Sequence, residues 1–505
     1  MVAIEAKFAL SELSQAQTYL QQLGLYDGKV DSIYGKLTEA AFVQFANALS
    51  IDTILDARSQ DLTNRLLQMP SVVRHLLALL GTDDRLFQKF ANSQRIFVNM
   101  GQADSNHLGF LDRGLNGSIV GSIRELPSRN FAPSPLLSHV PSYPERLAKL
   151  PDGVNVVSHG EVAMLSGSQI RVRFRPYPKL GEIPNIEDIG LEFLDPSIYE
   201  ACICIGSVVN GQMFSRWIGR NPLRNVQFWS STKIIPLLYT ICQANQADFK
   251  QPIAVCQVVD GNNKKNPRTF SELAQRICGY YETKDISSNG LAAMFKQFTT
   301  PQNLENWLKK ITGNQQLAFM GRYGEIPYIE QPYLKDITGK NLVTGVKEPH
   351  RGDNLLSAYD LTRVVSQIAW HRHIPPSDRL AFAQWHSLSA LINAMGHDTA
   401  RYVDVAIAAL GMTYFMSDPV VISKMGFGYS DLRKRTELTY TACIQFVDHL
   451  ATSQDVPTPK FRSINMTLRA VLDLQSPDRE ALEIDARMAA AVAEILRRVV
   501  TEELI

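Results

Sequence analysis

The 505-residue chain has almost no net charge, no paired-cysteine motif and no long apolar run. Lys and Arg number 51 against 50 Asp and Glu, and the formal charge of +1 gives no reason to expect nucleic acid or an acidic membrane surface as partner. Six cysteines (Cys202, Cys204, Cys242, Cys256, Cys278, Cys443) form no C-x-x-C pair and mostly sit inside apolar runs. They are expected as buried thiols and not as metal ligands, and no pattern calls for a cofactor. No eighteen consecutive apolar residues occur, so no transmembrane segment is expected. The N-terminus MVAIEAKFALSELSQ lacks a basic stretch followed by an apolar one, so the chain as written is expected to be soluble and unexported.

What the sequence does contain is organised in blocks. Its length exceeds what one core usually accommodates. Residues 11–50 read as helix, turn, helix: Leu13, Ala16, Leu20 and Leu23 recur at helical spacing, Gly24, Gly28 and Gly35 punctuate, and Ala41, Phe42 and Phe45 form a second face. Residues 60–100 continue helical, with Val72, Val73, Leu76, Leu77 and Leu80 on one face. From 101 to about 151 prolines cluster and periodicity fades, as in an extended connection. VNVVS and QIRVRF then suggest strands. The expected organisation is a helical domain over 1–100, a proline-rich linker with strand-containing segment over 101–197, and a main domain over 198–505. In that domain Asn210-Gly211 marks a tight hairpin. PVVISKMG and ELTYTACIQFV read as strands, LTRVVSQIAWH as a helix, and an apolar stripe from about Asp485 as a closing helix. Strands at both ends with helices between predict an α+β fold, an antiparallel sheet covered by helices.

The stretch LSQAQTYLQQLGLYDGKVDSIYGKLTEAAFVQF resembles the peptidoglycan-binding domain type 1 family, with its leading leucine helix, glycine and aspartate turn, and Y-G-x-x-T-x-x-A-x-x-x-F phrase. It departs at Ser32, where glycine is usual, and at Ala46, where glutamine is usual. The resemblance implies peptidoglycan or cell-wall fragments as partner. A spacer or protein-docking role is the alternative.

FWSSTKIIPLL, residues 228–238, contains the only S-x-x-K of the chain, with Ser230 and Lys233 on one face of a helix expected to start near Ser230. A serine with an amine neighbour is a nucleophile and base pair, or an N-cap with a snorkelling lysine. Ser287-Ser288-Asn289 follows in a segment read as loop then helix, and Lys424-Met425-Gly426 lies on the strand after Val420. Ser463-Ile464-Asn465 and Lys179-Leu180-Gly181 repeat two of the triplets out of order. The ordered set resembles the penicillin-recognising serine hydrolases, class A β-lactamases and their D,D-peptidase relatives, with boxes S-x-x-K, S-x-N and K-T-G. It departs at Met425, where that family carries threonine or serine.

The resemblance implies a β-lactamase-like fold over 198–505, Ser230 as acylated nucleophile and Lys233 as proton acceptor. Ser287 would pass a proton to the leaving nitrogen, Lys424 would bias that hydroxyl, and Asn289 would hold the substrate amide. The oxyanion would meet the backbone amides of Ser230 and Phe427, beside Gly426. Glu325 and Glu330 are the two candidates for the carboxylate that activates the deacylating water. The implied function is a serine acyl-enzyme hydrolase of β-lactams or peptidoglycan-type peptide amides; the alternative is an inactive or weakly active relative that binds or senses wall fragments. That family works in the cell envelope or periplasm, which conflicts with the unexported reading, so the compartment stays open between envelope and cytoplasm. His371-Arg372-His373 reads as a helix end, Arg351-Gly352-Asp353 as a chance turn, and Arg433 and Arg435 as solvated loop charges.

Overall fold

A computed structural model describes residues 10–22, 25–48 and 134–505, the last range except 135, 167, 284, 411, 431 and 450–457. The helical stripe expected over 60–100 and most of the proline-rich stretch lie outside the described residues. The elements that matter here are α1 (Leu10–Gln22), α2 (Lys36–Ala48), β1 (Ile198–Val209), β2 (Gln212–Arg220), α3 (Ile234–Ala247), α4 (Phe270–Gly279) and α5 (Ser288–Lys296). They continue with α6 (Ala358–Ala369), α7 (Trp385–Met395), α8 (Tyr402–Ala409), β3 (Met416–Ser430), β4 (Arg435–Asp448), β5 (Lys460–Leu472) and α9 (Pro477–Val500).

The main sheet runs in the order β3, β4, β5, β1, β2, and the short strand Arg175–Pro176 closes its far edge. All of these pairs are antiparallel. The β1–β2 hairpin turns on Asn210 and Gly211, both at positive φ (51° and 74°), as the dipeptide led us to expect. Register fixes two faces. Met425, Tyr440, Leu468 and Ala201 lie in one row across the sheet and are buried in the core made with α8 and α9. Lys424, Thr441, Thr467 and Cys202 form the next row and face the opposite way, toward the layer containing α3 to α7. The chain is thus α+β, an antiparallel sheet between two helical layers.

α6 crosses the helical layer with every residue buried, so its ends have no water to satisfy them. A capping box does so instead: the Ser357 hydroxyl accepts from Asp360 N (3.1 Å), and Asp360 accepts from Ser357 N (2.8 Å). In the N-terminal helix pair the Gln17 side chain closes the turn by accepting from Asp31 N and Ser32 N (3.1 and 2.9 Å) and donating to Thr38 Oγ1 (3.1 Å). Ser32 takes φ 60°, the left-handed region that makes glycine usual there.

Several expectations change. Ser230 and Lys233 lie in a 3-10 turn, Trp229–Lys233, and the α-helix proper begins at Ile234. The closing helix starts at Pro477, after Ser476, well before Asp485. VNVVS is no strand; Val157 makes one isolated bridge to Lys460. Arg171–Arg173 pairs with Val162–Met164 in a separate two-stranded ribbon. Residues 137–148, inside the stretch read as a linker, form two short helices with Val140, Tyr143 and Leu147 in the helical-layer core. All six cysteines are free and buried. Among the described residues no helix is long and apolar enough to cross a membrane.

Because the α6 cap is wholly buried, Ser357→Ala should lower stability by about 1–2 kcal/mol, measured as a shift of the urea unfolding midpoint at unchanged slope.

Candidate active site

The site forms where the 3-10 turn meets the edge strand β3. Gly426 faces the turn so closely that a Cβ there would lie 2.6 Å from Ser230 N and 2.8 Å from Phe228 O, so only glycine allows the approach. Beneath it, Ser231 Oγ donates to Lys424 O (3.0 Å) and shares a 2.8 Å hydrogen bond with Thr439 Oγ1. Trp229, immediately before Ser230, takes φ 47°, unusual for an aromatic residue. Its indole Nε1 donates to Glu437 Oε2 (3.0 Å), which holds that conformation.

Glu437 is buried on β4 and gathers Arg433 (2.9 Å), Arg435 (2.8 Å) and Arg469 (2.8 Å). Burial pushes its carboxyl up, but Arg469 and then Arg433 and Arg435 outweigh that and hold it at about 2. Arg433 and Arg435, expected as solvated loop charges, are therefore anchored on Glu437, and Arg435 begins β4.

A cavity of about 730 Å³ opens over the turn, and Ser230, Lys233, Tyr280, Ser288, Glu325 and Phe427 lie on its wall. Ser230 is half-buried. The buried Lys233 donates from Nζ to Ser288 Oγ (2.8 Å). Burial, reinforced by the charge of Lys424, lowers its amine to about 7 against the opposing pull of Glu282 and Glu325. Near neutral pH a substantial fraction of Lys233 is therefore an uncharged base.

Tyr280 ends α4 in the left-handed conformation, φ 52°. Its hydroxyl donates to Met425 O (3.0 Å) and shares a hydrogen bond with Ser230. Its ring has Lys424 Nζ 3.6 Å and Lys233 Nζ 5.6 Å from the centroid, so both amines lie near the aromatic ring. Burial raises the phenol, with Lys424 pulling the other way, and it stays protonated. Lys424 is fully buried, donates to Met425 O (3.1 Å) and lies 3.8 Å from Asp398.

The S-x-N triplet is arranged one residue out of the expected order. Ser287 is the N-cap of α5, accepting from Gly290 N (3.0 Å) and donating to Glu325 Oε2. Ser288, whose own amide donates to Glu282 Oε1 (2.8 Å), is the hydroxyl that meets Lys233. Asn289 Nδ2 donates to Glu325 Oε1 (3.1 Å), so it faces Glu325 across the cavity. Glu330 is exposed and away from the cavity, so of the two candidates only Glu325 lines it. The Met425 side chain is in the core on the other face of the sheet and meets no ligand.

Residues 10–57 match the family model described as "Putative peptidoglycan binding domain". No curated protein matches the chain. Among solved structures the chain is similar to a β-lactamase from Desulfarculus baarsii at 13% identity, covering 59% of this chain and 92% of that one, with a TM-score of 0.36. A β-lactamase from Chitinophaga pinensis follows at 10% identity, 58% and 92% coverage and a TM-score of 0.34. A peptidoglycan synthetase from Bifidobacterium adolescentis matches at 11% identity, 59% and 56% coverage and a TM-score of 0.27.

Four cavity residues carried no sequence signal for the site. Tyr280 and Glu282 follow the end of α4 without a motif, and Gly352 and Asp353 of the tripeptide read as a chance turn lie on the cavity wall. Ser288 was within reach: the spacing Ser287-x-x-Gly290 suits an N-cap, which leaves Ser288 on the first turn. The out-of-order Ser463 and Asn465 are buried in β5, where Ser463 Oγ accepts from Trp370. Among the described residues no group of acidic, His and Cys side chains is arranged to hold a metal.

Glu437→Gln would leave three guanidinium groups around a neutral amide and should cost about 3–5 kcal/mol. The depressed carboxyl contributes stability that is present above pH 4.5 and lost as pH falls toward about 2. Denaturant titrations across that interval should therefore show a steeper acid loss for the wild type than for the variant.

Proposed function

We propose that the chain is a serine acyl-transfer hydrolase that attacks β-lactams or peptidoglycan-type peptide amides through an ester on Ser230, while its N-terminal module holds peptidoglycan. The observation that carries this reading is the set of Ser230, a lysine amine near neutrality and a second serine hydroxyl around one cavity.

Ser230 Oγ adds to the carbonyl carbon as its proton passes to the neutral amine of Lys233. The carbon–nitrogen bond then breaks as the nitrogen takes a proton from the Ser288 hydroxyl, which is replenished by the Lys233 ammonium along their 2.8 Å bond. Backbone amides of Ser230 and Phe427 face the developing oxyanion. Tyr280 orients the serine hydroxyl, and Lys424 acts on it through the tyrosine ring. Water finally releases the acid and restores Ser230. The shuttle role first given to Ser287 passes to Ser288, and Ser287 becomes the cap that holds Glu325.

A fluorescent penicillin should label Ser230, read by peptide mass mapping, and Ser230→Ala should abolish labelling at a stability cost under about 1 kcal/mol. The acylation rate should rise as pH increases through about 7, as Lys233 loses its proton, and Lys233→Met should slow it by roughly 10²–10⁴ and flatten that rise. Absence of an adduct with several β-lactams and acyl-peptide esters, in folded protein, would favour the binding relative.

One observation favours slow release of the acyl group and hence a sensing role. Both oxygens of Glu325 are engaged, one by Ser287 and one by Asn289, and a carboxylate so held is a poor base for water. Stopped-flow traces should show a burst followed by much slower steady turnover. Brisk turnover abolished by Glu325→Gln would make Glu325 an efficient deacylation base instead.

A further inference from the structure

The two buried amines beside the Tyr280 ring have unlike surroundings. Lys233 Nζ has a neutral partner, the Ser288 hydroxyl (2.8 Å), and lies 5.6 Å from the ring centroid. Lys424 Nζ lies 3.6 Å from that centroid, donates to Met425 O (3.1 Å) and has the Asp398 carboxylate 3.8 Å away. Ring, carbonyl and carboxylate together favour an ammonium at Lys424 over one at Lys233.

Asp398 sits in the connection between α7 and α8 and takes no part in the acyl-transfer steps. Its side chain is only 1% exposed and that of Lys424 is fully enclosed, so little water screens the pair. β3 is the edge strand, and a carboxylate at its edge reaches two successive residues: Ser423 Oγ donates to Asp398 Oδ2 (2.8 Å) and fixes it beside Lys424. The other ionisable groups around Lys424 are Lys233 from the 3-10 turn and Cys278 and Tyr280 from the end of α4. Burial pushes the Cys278 thiol up to about 12 and raises the Tyr280 phenol, so neither is an anion near neutral pH. Tyr440 of β4, with Asp404 of α8 near it, lies beside Asp398 and is likewise held protonated by burial. Glu282 and Glu325 act on the Lys233 side.

Building on the acyl-transfer reading, we infer that Asp398 is a positioning residue whose carboxylate holds the positive charge on Lys424 and so leaves Lys233 as the amine that becomes the base for Ser230. With both amines protonated the cations outnumber the carboxylate between them. Loss of the proton from Lys233 leaves a neutral ion pair beside a free base. Loss from Lys424 instead would strand the buried Asp398 anion and leave the ammonium of Lys233 against a hydroxyl.

Lysine ε-carbons enriched in the NMR-active carbon isotope report each amine in a pH titration of the full chain, with the two signals assigned by their loss in Lys233→Met and Lys424→Met. In the wild type the Lys233 signal should move as pH rises through about 7 while that of Lys424 stays in place. In Asp398→Asn, which keeps the side chain's shape and an oxygen for Ser423, the Lys424 signal should move in the same range, because the remaining proton is shared between the amines. Ser423→Ala, which loosens the carboxylate but keeps its charge, should titrate as the wild type does. Acylation by a fluorescent penicillin at about pH 8 should fall to about half or less in Asp398→Asn, since Lys233 then holds the shared proton part of the time. A Lys424 signal that moves before or with that of Lys233 in the wild type would overturn the role of Asp398, and this reading needs no variant to fold. So would a Lys424 signal that stays in place in Asp398→Asn, one released equally by Ser423→Ala, or an unchanged acylation profile in Asp398→Asn. A wild type that forms no penicillin adduct yet loses its protons in this order would count against acyl transfer on Ser230 and leave Asp398 as the holder of the Lys424 charge.

Discussion

The geometry of this molecule's cleft depends on one buried carboxylate. Glu437 lies on β4, one strand in from the edge, and beside its register partner Gly428 it meets the indole of Trp229 and three guanidinium groups besides. An aromatic residue at φ 47° needs such restraint, because nothing in its own chain favours that conformation. By holding Trp229, the carboxylate sets the direction in which the chain enters the 3-10 turn, and so where the Ser230 hydroxyl points. Gly426 completes the fit by letting β3 come against the same turn.

Around that fixed serine the Lys233 amine is tuned by burial and then by a second amine close by. Lys233 and Lys424 share one aromatic ring, and burial, then the charge of Lys424, makes a positive charge on Lys233 less favourable. A third buried amine, Lys296, lies behind the cavity wall and donates to Gly321 O (2.7 Å) and Asn354 Oδ1 (2.8 Å). It ties the end of α5 to the loops that carry Glu325 and Asp353. Burial brings it, too, down to about 7, with Glu305 opposing. Lys233 and Lys296 are thus amines that burial discourages from being ions, the one compensated by a hydroxyl and the other by a carbonyl and an amide oxygen.

Much of this was legible in the sequence because it rests on spacing. The Asn210-Gly211 hairpin, the alternation in β4 and the serine and lysine three residues apart are local patterns, and local patterns survive into structure. What escaped was set by pairing between distant segments. Nothing near Tyr280 announces that its hydroxyl will meet a serine fifty residues earlier, and Arg433 and Arg435 look like loop charges until Glu437 is seen beneath them. Ser287 caps α5 while Ser288 meets Lys233, a difference of one residue at a helix start, where the competition between capping and facing inward is decided by the first turn. The left-handed backbone at Trp229, Tyr280 and Phe382 also has no signature in aromatic residues.

Strand register makes position 425 a core position. Its side chain shares a row with Tyr440, Leu468 and Ala201 and answers to the packing of the terminal helix, while the cleft sees only its carbonyl oxygen, held by Tyr280 and Lys424. A threonine there would bury its hydroxyl among apolar neighbours instead of presenting it to a ligand. To present one, β3 would have to slip by one residue, and the same slip would carry Lys424 away from the Tyr280 ring.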